Sequence, residues 1–470
     1  MNVVTRFPPS PTGDLHIGSA RTALYNWLFA RKHNGELVFR LEDTDRERST
    51  EQAVEAIVEG MRWLGLDYDS GPYYQTDRFD RYKEVVDQLL EAGWAYRGFC
   101  DRERLDKLRE EQTAAKKKPR YDGYCRDRYS EVQDGSYVVR FRTPLKGSIT
   151  IDDEVHGSVT IENSELDDLI IMRSDGVPTY HLTVVVDDFD MNVSHIIRGD
   201  DHLNNTARQL HIIDALEAPR PIYAHIPMIN GTDGKRLSKR DGATSVLSYR
   251  EEGILPHALL NYLVRLGWSQ GDDEIFSIKQ MIEQFSLGGI NKSASAFDHE
   301  KLLWFNQHYI HETPLEELAE YVRPYFAKAG LLIEDEKKFM LVVDAQRTRV
   351  RTLVEMVEKS TPFYGPFLGH EESAAKKHLR GAVQEPLEAI RELLLDENPW
   401  TPAKLHDLVE TVASNYNMKL GKVAQPLRVA ITGIAASPGI DVTLFLIGRE
   451  ECVKRLDLAL DYIKNRVRSA

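Results

Sequence analysis

The N-terminal part of the chain alternates two periods of apolar positions. Val3-Val4 starts a short strand, and a proline- and glycine-rich loop follows, Pro8-Pro9-Ser10-Pro11-Thr12-Gly13-Asp14-Leu15-His16-Ile17-Gly18. Over Ala20–Asn34 the residues Ala23, Leu24, Trp27, Leu28 and Ala30 recur at helical spacing, and Gly35 stops the run. Leu37–Leu41 reads as a second apolar strand. Ser49 and Gln52 have the spacing of a capping box ahead of a helix bearing Ala53, Ile57 and Met61. Tyr82–Ala92 is a further amphipathic helix, closed by Gly93. Strand, helix, strand, helix in this order predicts a parallel sheet covered by helices.

The pattern changes from Trp94 to Asp190. One helix, Asp101–Ala115, precedes a break at Lys116-Lys117-Lys118-Pro119. Short alternating strands are then predicted at Tyr137–Arg142, Ser148–Ile151, Ser158–Ile161, Asp168–Arg173 and Tyr180–Val186. This segment reads as an α+β insertion into the first domain. His195–Gly199 returns to the parallel sheet, followed by a helix at Leu203–Ala215 and a strand at Ile222–Ile229. After Leu247 the pattern is helical to the end, with breaks near Gly271-Asp272, Pro314, Thr361–Gly369 and Asn398-Pro399. No fixed-period repeat is visible, which argues against solenoids and propellers.

Composition narrows the class. The 470 residues are 42% hydrophobic and 29% charged, ordinary globular values that exclude a disordered, collagen-like or disulfide-scaffold chain. No stretch reaches the ~18 apolar residues that span a bilayer, and the N-terminus has no secretory pattern. Three scattered cysteines, Cys100, Cys125 and Cys452, make no disulfide framework. The expectation is a soluble, reduced, cytoplasmic protein with no membrane partner. A net charge of -14 disfavours a basic nucleic-acid coat protein but permits basic clusters on an acidic body.

Two loops carry chemistry. The Pro9–Gly18 loop joins a strand to a helix, so free backbone N–H groups and the positive helix end point toward a bound anion. Gly13 and Gly18 remove side chains from the approach, and His16 can donate to a phosphate oxygen. The second loop, Lys235-Arg236-Leu237-Ser238-Lys239-Arg240, places four cations in six residues after Gly231–Gly234. It suits a clamp on polyphosphate. Each loop alone also fits a bland reading, a Pro-rich turn or a solvated basic loop.

Together they resemble the class I aminoacyl-tRNA synthetases. His16-Ile17-Gly18-Ser19 matches the "HIGH" motif and Arg236-Leu237-Ser238-Lys239-Arg240 the "KMSKS" motif, with Ser19 and Arg236 departing from the general pattern. The strings Arg6-Phe7-Pro8-Pro9-Ser10-Pro11-Thr12-Gly13, Arg40-Leu41-Glu42-Asp43-Thr44-Asp45, Pro178-Thr179-Tyr180-His181, Arg198-Gly199-Asp200-Asp201-His202 and Gly421-Lys422-Val423-Ala424-Gln425-Pro426-Leu427-Arg428 are similar to the bacterial glutamyl branch. The resemblance covers the whole chain.

It implies an α/β fold: a Rossmann-like class I synthetase catalytic domain with an α+β insertion, followed by an all-α C-terminal half. The implied divisions are 1–93 and 191–246 for the catalytic domain, the latter with the KMSKS-like loop. An acceptor-end-binding insertion would occupy 94–190, a helical stem-contact domain 247–320, and an all-helical anticodon-binding domain 321–470. Implied substrates and partners are L-glutamate, ATP with Mg²⁺, and tRNA(Glu), acted on by a monomer. By matched position, His16, Gly18 and Lys239 are implied as catalytic. Arg6, Ser10, Glu42, Tyr180 and Arg198 resemble the amino-acid pocket. A guanidinium at Arg6 suits a γ-carboxylate and Glu42 suits an α-ammonium. Pro9, Gly13, Asp201, His202, Arg236, Leu237, Ser238 and Arg240 join His16, Gly18 and Lys239 on the ATP side. In a Gly-Asp-Asp-His turn Asp201 or His202 could instead cap the next helix. Arg48 resembles a residue near the tRNA acceptor end, or is a surface arginine.

Many relatives carry a zinc site spaced Cys-x-Cys…Cys-x-His in the insertion. The matching positions here are Gly98, Cys100, Cys125 and Asp127, with Tyr121 nearby, a poor tetrahedral N/S set that argues against structural zinc. In the helical half Arg347, Arg349 and Arg351 alternate in what reads as a helix, and Lys376-Lys377 with Arg380 forms a second basic cluster. Both are solvated faces on their own; the resemblance points them at phosphate and anticodon contacts.

Overall fold

The computed structural model describes residues 2–128, 135–235, 237 and 245–468. It divides into two compact units. One comprises Met1–Arg250 with Pro256–Leu302, the other Glu251–Leu255 with Leu303–Ala470.

In the first unit, β1 (Val4–Phe7), α1 (Ile17–Lys32), β2 (Glu36–Leu41), α2 (Glu51–Leu64) and β3 (Ser70–Tyr74) form a parallel sheet in the order β1-β2-β3 with its helices. β3 reads Ser-Gly-Pro-Tyr-Tyr, a composition that hid it from the periodicity analysis. The helix cap at α2 is Thr50, not Ser49. Thr50 Oγ1 accepts from the Ala53 N–H at 3.2 Å, so the Ser49–Gln52 capping box is corrected by one residue. α3 (Phe79–Glu91) then leads into β4 (Ala95–Gly98) and the solvent-exposed α4 (Arg102–Ala114).

The insertion supplies β5 (Val138–Phe141), β6 (Ser148–Asp153), β7 (Gly157–Glu162) and β8 (Ile170–Met172). β4, β5 and β8 form an antiparallel sheet, whereas the β6–β7 hairpin joins β9 (His195–Gly199) and β10 (Ile222–Ile226) in the order β7-β6-β10-β9. Ser194 stitches this layer to β1. Its N–H donates to the Val4 carbonyl at 2.9 Å, and its Oγ accepts from the Val4 N–H at 2.8 Å.

Between them lies the largest departure from expectation. Tyr180–Val186 is not a strand but the start of the helix α5 (Tyr180–Asp190). Leu182 through Asp188 are all buried, so both faces are apolar or engaged and the 3.6 period is invisible. The run Thr183-Val184-Val185-Val186 reads as β from side-chain preference, and packing against α3 and α6 (Leu203–Ala215) overrides it.

The second unit is helical. Leu315–Lys328, Glu336–Arg347, Leu353–Tyr364, Glu372–His378, Gln384–Asp396, Pro402–Asn415, Leu420–Thr432, Ile440–Ile447 and Arg449–Arg468 follow in order. Leu387, Ile390, Leu405, Val409, Leu427, Leu444 and Leu456 centre one apolar core. The arginine helix ends at Arg347, so Arg349 and Arg351 occupy the following turn rather than that helix. There their carbonyls accept from Lys359 Nζ at 2.6 Å and Asn306 Nδ2 at 2.7 Å, which ends the helical period.

Asn306 is fully buried and holds three backbone groups. Its Oδ1 accepts from the Leu255 N–H at 2.8 Å, and its Nδ2 donates to the carbonyls of Arg351 and of Gly253, the latter at 3.1 Å. Asn306→Ala strands all three. We expect a loss of about 3 kcal/mol, read as a lower urea midpoint for the helical transition by far-UV circular dichroism; an unmoved midpoint would refute this anchoring role.

Candidate active site

β1 and β9 are neighbours, and residues that follow the carboxyl ends of both strands open onto one space. Such a point opens a crevice in parallel α/β sheets. Here it is a cleft of about 780 Å³. Arg6, Pro9, Ser10, His16, Gly18, Glu42, Tyr180, Arg198, Asp201, His202 and Leu237 all line it. Gly13 lines an adjoining hollow with His16 and Ser245. Arg48 lies outside both on an exposed turn, its N–H donating to Asp45. Arg236, Ser238, Lys239 and Arg240 lie outside the described residues.

His16 caps α1. Its Nδ1 accepts from the Ser19 N–H at 3.3 Å, and its Nε2 lies 3.1 Å from Ser19 Oγ. A Cβ on Gly18 would sit 3.1 Å from the imidazole Cε1, so the glycine leaves room for the ring. The Glu42 N–H donates to the Pro9 carbonyl at 3.0 Å, fixing the loop to the end of β2.

Arg6 is 1% exposed. Its Nε faces Asp188 Oδ2 at 3.4 Å. Asp188 Oδ1 accepts from Arg40 at 2.9 Å, and Arg40 also reaches Asp187 at 3.4 Å and Glu42 at 3.6 Å. Asp187 is held in turn by Gln75 at 2.8 Å, Arg78 at 2.7 Å and the Tyr82 hydroxyl at 2.9 Å. Arg6 is therefore both an ion-pair partner and a wall of the cleft.

Arg198 enters from β9. Its Nε donates to His225 Nε2 at 3.2 Å, and its Nη2 to Thr206 Oγ1 at 2.7 Å and Gln209 Oε1 at 2.8 Å. His225 donates from Nδ1 to Asp153 at 2.7 Å, which fixes the tautomer that accepts from Arg198. Arg198 Nη1 is buried with no hydrogen-bond partner among the described residues, and Glu42 Oε1 has none beyond its 3.6 Å ion pair with Arg40. Both atoms belong to residues that line the cleft, where they keep hydrogen-bonding capacity for a polar group.

Burial sets the protonation states. The Glu42 carboxyl is pushed up to about 7 by desolvation, against the pull of Arg40 and Arg6. Desolvation and nearby arginines hold His181 and His202 down to about 4, so both are neutral at pH 7. The Tyr180 hydroxyl lies 2.9 Å from His202 Nδ1.

Several residues of the site were not singled out in the sequence. Arg21 lines the cleft while donating to the Leu266 carbonyl at 2.6 Å and to that of Pro227. It stands three residues after Gly18 on α1, a spacing that could have found it. Asn205, one turn into α6, had a similar signal. Asp188 and Gln209 had none, since only packing brings them to the arginines.

The insertion's would-be metal positions do not assemble. Cys100 and Cys125 meet, but Gly98 offers no side chain, and the exposed Asp127 carboxylate accepts from Arg142 at 2.9 Å. This donor set does not fit tetrahedral zinc. Among the described residues no cluster of three or more His, Cys, Asp or Glu could hold a metal ion.

Comparison with known proteins agrees along the chain. The family described as tRNA synthetases class I (E and Q), catalytic domain, matches residues 2–304, and the anticodon binding domain family matches 317–460. The chain is 52% identical to a glutamate--tRNA ligase of Legionella pneumophila over 99% of both chains, and 53% identical to glutamate--tRNA ligase 1 of Nitrosococcus oceani over the same shares. A crystal structure of a glutamate tRNA ligase from Elizabethkingia meningosepticum, in complex with its amino acid, has a TM-score of 0.90 at 29% identity, covering 98% of this chain and 100% of that one.

The Glu42 environment gives a signed pH effect. Between about 4.5 and 7 the folded chain keeps a proton on Glu42 that the unfolded chain has released. Stability from this group is thus present at low pH and lost as pH rises through about 7, by up to about 3 kcal/mol. Glu42→Gln removes the loss, so its stability relative to the parent should be higher at pH 8 than at pH 5 in urea titrations. An equal difference at both pH values contradicts the buried carboxyl.

Proposed function

This chain belongs to the class I tRNA synthetases of the glutamate and glutamine branch, and from that premise we propose that it ligates L-glutamate to the 3′ end of tRNA(Glu), releasing AMP and pyrophosphate. One observation carries the reading. Two guanidiniums, Arg6 and Arg198, and one carboxyl, Glu42, line the same cleft, and two of the three keep a buried polar atom without a hydrogen-bond partner among the described residues. Glutamate complements this set, with two carboxylates and one ammonium.

In the first step the α-carboxylate of glutamate attacks the α-phosphorus of ATP. The new bond joins carboxylate oxygen to phosphorus; the bond to the bridging oxygen breaks and pyrophosphate leaves. A carboxylic acid with pKa ~4 is already ionised at pH 7, so no general base is needed. Catalysis is positioning and charge stabilisation. His16 and the backbone at Gly18 serve the phosphates, with Lys239 and its neighbours Arg236, Ser238 and Arg240 supplying charge from the second loop. Pro9, Gly13, Asp201, His202 and Leu237 frame the nucleotide. Mg²⁺ accompanies ATP on its phosphates. In the second step the terminal ribose hydroxyl of tRNA attacks the activated carbonyl and AMP departs. Arg48 serves the acceptor end, and the helical second unit reads the anticodon.

Within the amino-acid pocket Arg6 faces the side-chain carboxylate, with Ser10 and Tyr180 completing the walls. Glutamine would set a neutral amide against a buried cation. Losing one charge-assisted bond costs about 1.5–3 kcal/mol, roughly a tenfold to hundredfold preference.

Two substitutions test this. Arg6→Ala should abolish glutamate-dependent, tRNA-dependent pyrophosphate exchange while circular dichroism still reports a folded chain; a folded variant with near-normal exchange removes the assignment. Lys239→Ala should lower kcat by about 10²–10³-fold with a smaller change in the KM for glutamate. A variant that loses only affinity contradicts its role on the reacting phosphates.

A further inference from the structure

The two cysteines of the insertion have a chemistry of their own. Cys100 follows β4 and Cys125 sits in the turn beyond α4, and their Sγ atoms are 3.2 Å apart. Cys125 is buried and Cys100 is the more exposed of the two. Both sulfurs are positioned by neighbours. The Phe99 N–H donates to Cys125 Sγ at 3.4 Å, the Tyr121 hydroxyl lies 3.5 Å from Cys100 Sγ, and Arg104 Nη1 lies 3.6 Å from it. The Tyr121 hydroxyl also accepts from the Cys125 N–H at 2.9 Å, which ties the turn to the same spot.

What the pair lacks is as informative as what it has. The two other positions of a four-ligand metal cradle hold a glycine and an aspartate turned to Arg142. Two thiols in contact, in no cluster of three or more His, Cys, Asp or Glu among the described residues, favour a bond to each other over a shared metal. A disulfide bond is about 2.05 Å long, so the sulfurs need approach by little more than ~1 Å.

We propose that Cys100 and Cys125 form a reversible dithiol–disulfide site oxidised by low-molecular-weight disulfides of the glutathione class. The Cys100 thiolate, the more accessible, attacks one sulfur of the small disulfide. That S–S bond breaks and one small thiol leaves with a proton. The Cys125 thiolate then attacks Cys100 Sγ and displaces the second small thiol. Two protein thiols are oxidised, one small disulfide is reduced to two thiols, and protons balance. The product closes a loop around α4, a helix with no buried residue, attached through Arg104–Asp122 at 2.5 Å and Gln112–Arg120 at 2.7 Å. Oxidation therefore stiffens an exposed, basic segment that packing alone holds weakly.

The full-length chain tests this directly. After incubation with excess oxidised glutathione and denaturation, titratable thiols should fall from three to one, matching the three cysteines less the pair. The tryptic peptides bearing Cys100 and Cys125 should be linked, dithiothreitol should release them, and amide exchange over α4 should slow several-fold while linked. Cys125→Ser should stop at a glutathione adduct on Cys100. Three outcomes overturn the proposal: all three thiols persisting at a poise that oxidises a protein disulfide isomerase control, a link that recruits Cys452 or a second chain, or one equivalent of zinc released from the reduced protein on thiol modification.

Discussion

Asp188 sits between two buried arginines, and the substrate end of the cleft depends on it. A guanidinium taken out of water is costly, and Arg6 and Arg40 are both essentially unexposed. Asp188 offers one carboxylate oxygen to each, at 3.4 Å to Arg6 and 2.9 Å to Arg40. Arg6 is thereby fixed, with its Nε on Asp188 and its Nη1 donating to the Ile197 carbonyl at 3.5 Å, while the residue lines the cleft. Arg40, on the neighbouring strand, spreads the charge onward to Asp187 and Glu42. Removing a single member would leave its partners less fully compensated, although Asp188 would keep Arg40 if Arg6 were lost.

Arg198 reaches the same cavity by an independent route. Its supports come from the helix after β9 and from the next strand, through Thr206, Gln209 and the Asp153–His225 pair. Asp153 belongs to the inserted stretch of sequence, yet it lies in the sheet that carries β9 and β10. The insertion is thus not an appendage to this site; one of its strands orients a cleft residue. The neutral histidines beside Arg198 add hydrogen-bonding groups without adding positive charge, which keeps the field in the cleft set by the arginines and Glu42.

The insertion also records what happens when a metal cradle lacks half its donors. Cys100 and Cys125 still meet at 3.2 Å because β4 and the turn after α4 bring them there. The same backbone therefore presents a different chemistry once the flanking positions become Gly98 and Asp127.

Much of this was legible in the order of residues. Local contacts write themselves into sequence, so the strand–loop–helix at Val4–Gly18, the helix over Leu203–Ala215 and the helical C-terminal half followed from spacing and turn chemistry. Motif strings likewise named Arg6, His16, Glu42, Tyr180 and Arg198 before any coordinates brought them into one cleft. Elements buried on both faces escaped, because uniform burial erases periodicity: α5 read as a strand, and β3 was missed for its glycine and proline. Only the tertiary structure could supply Asp188 and Gln209 as the partners of the two arginines. The Arg6–Asp188 ion pair spans 182 positions and leaves no local trace, and Gln209 of α6 meets Arg198 of β9 only in the folded chain; nothing but the packed sheet and helices sets these distances.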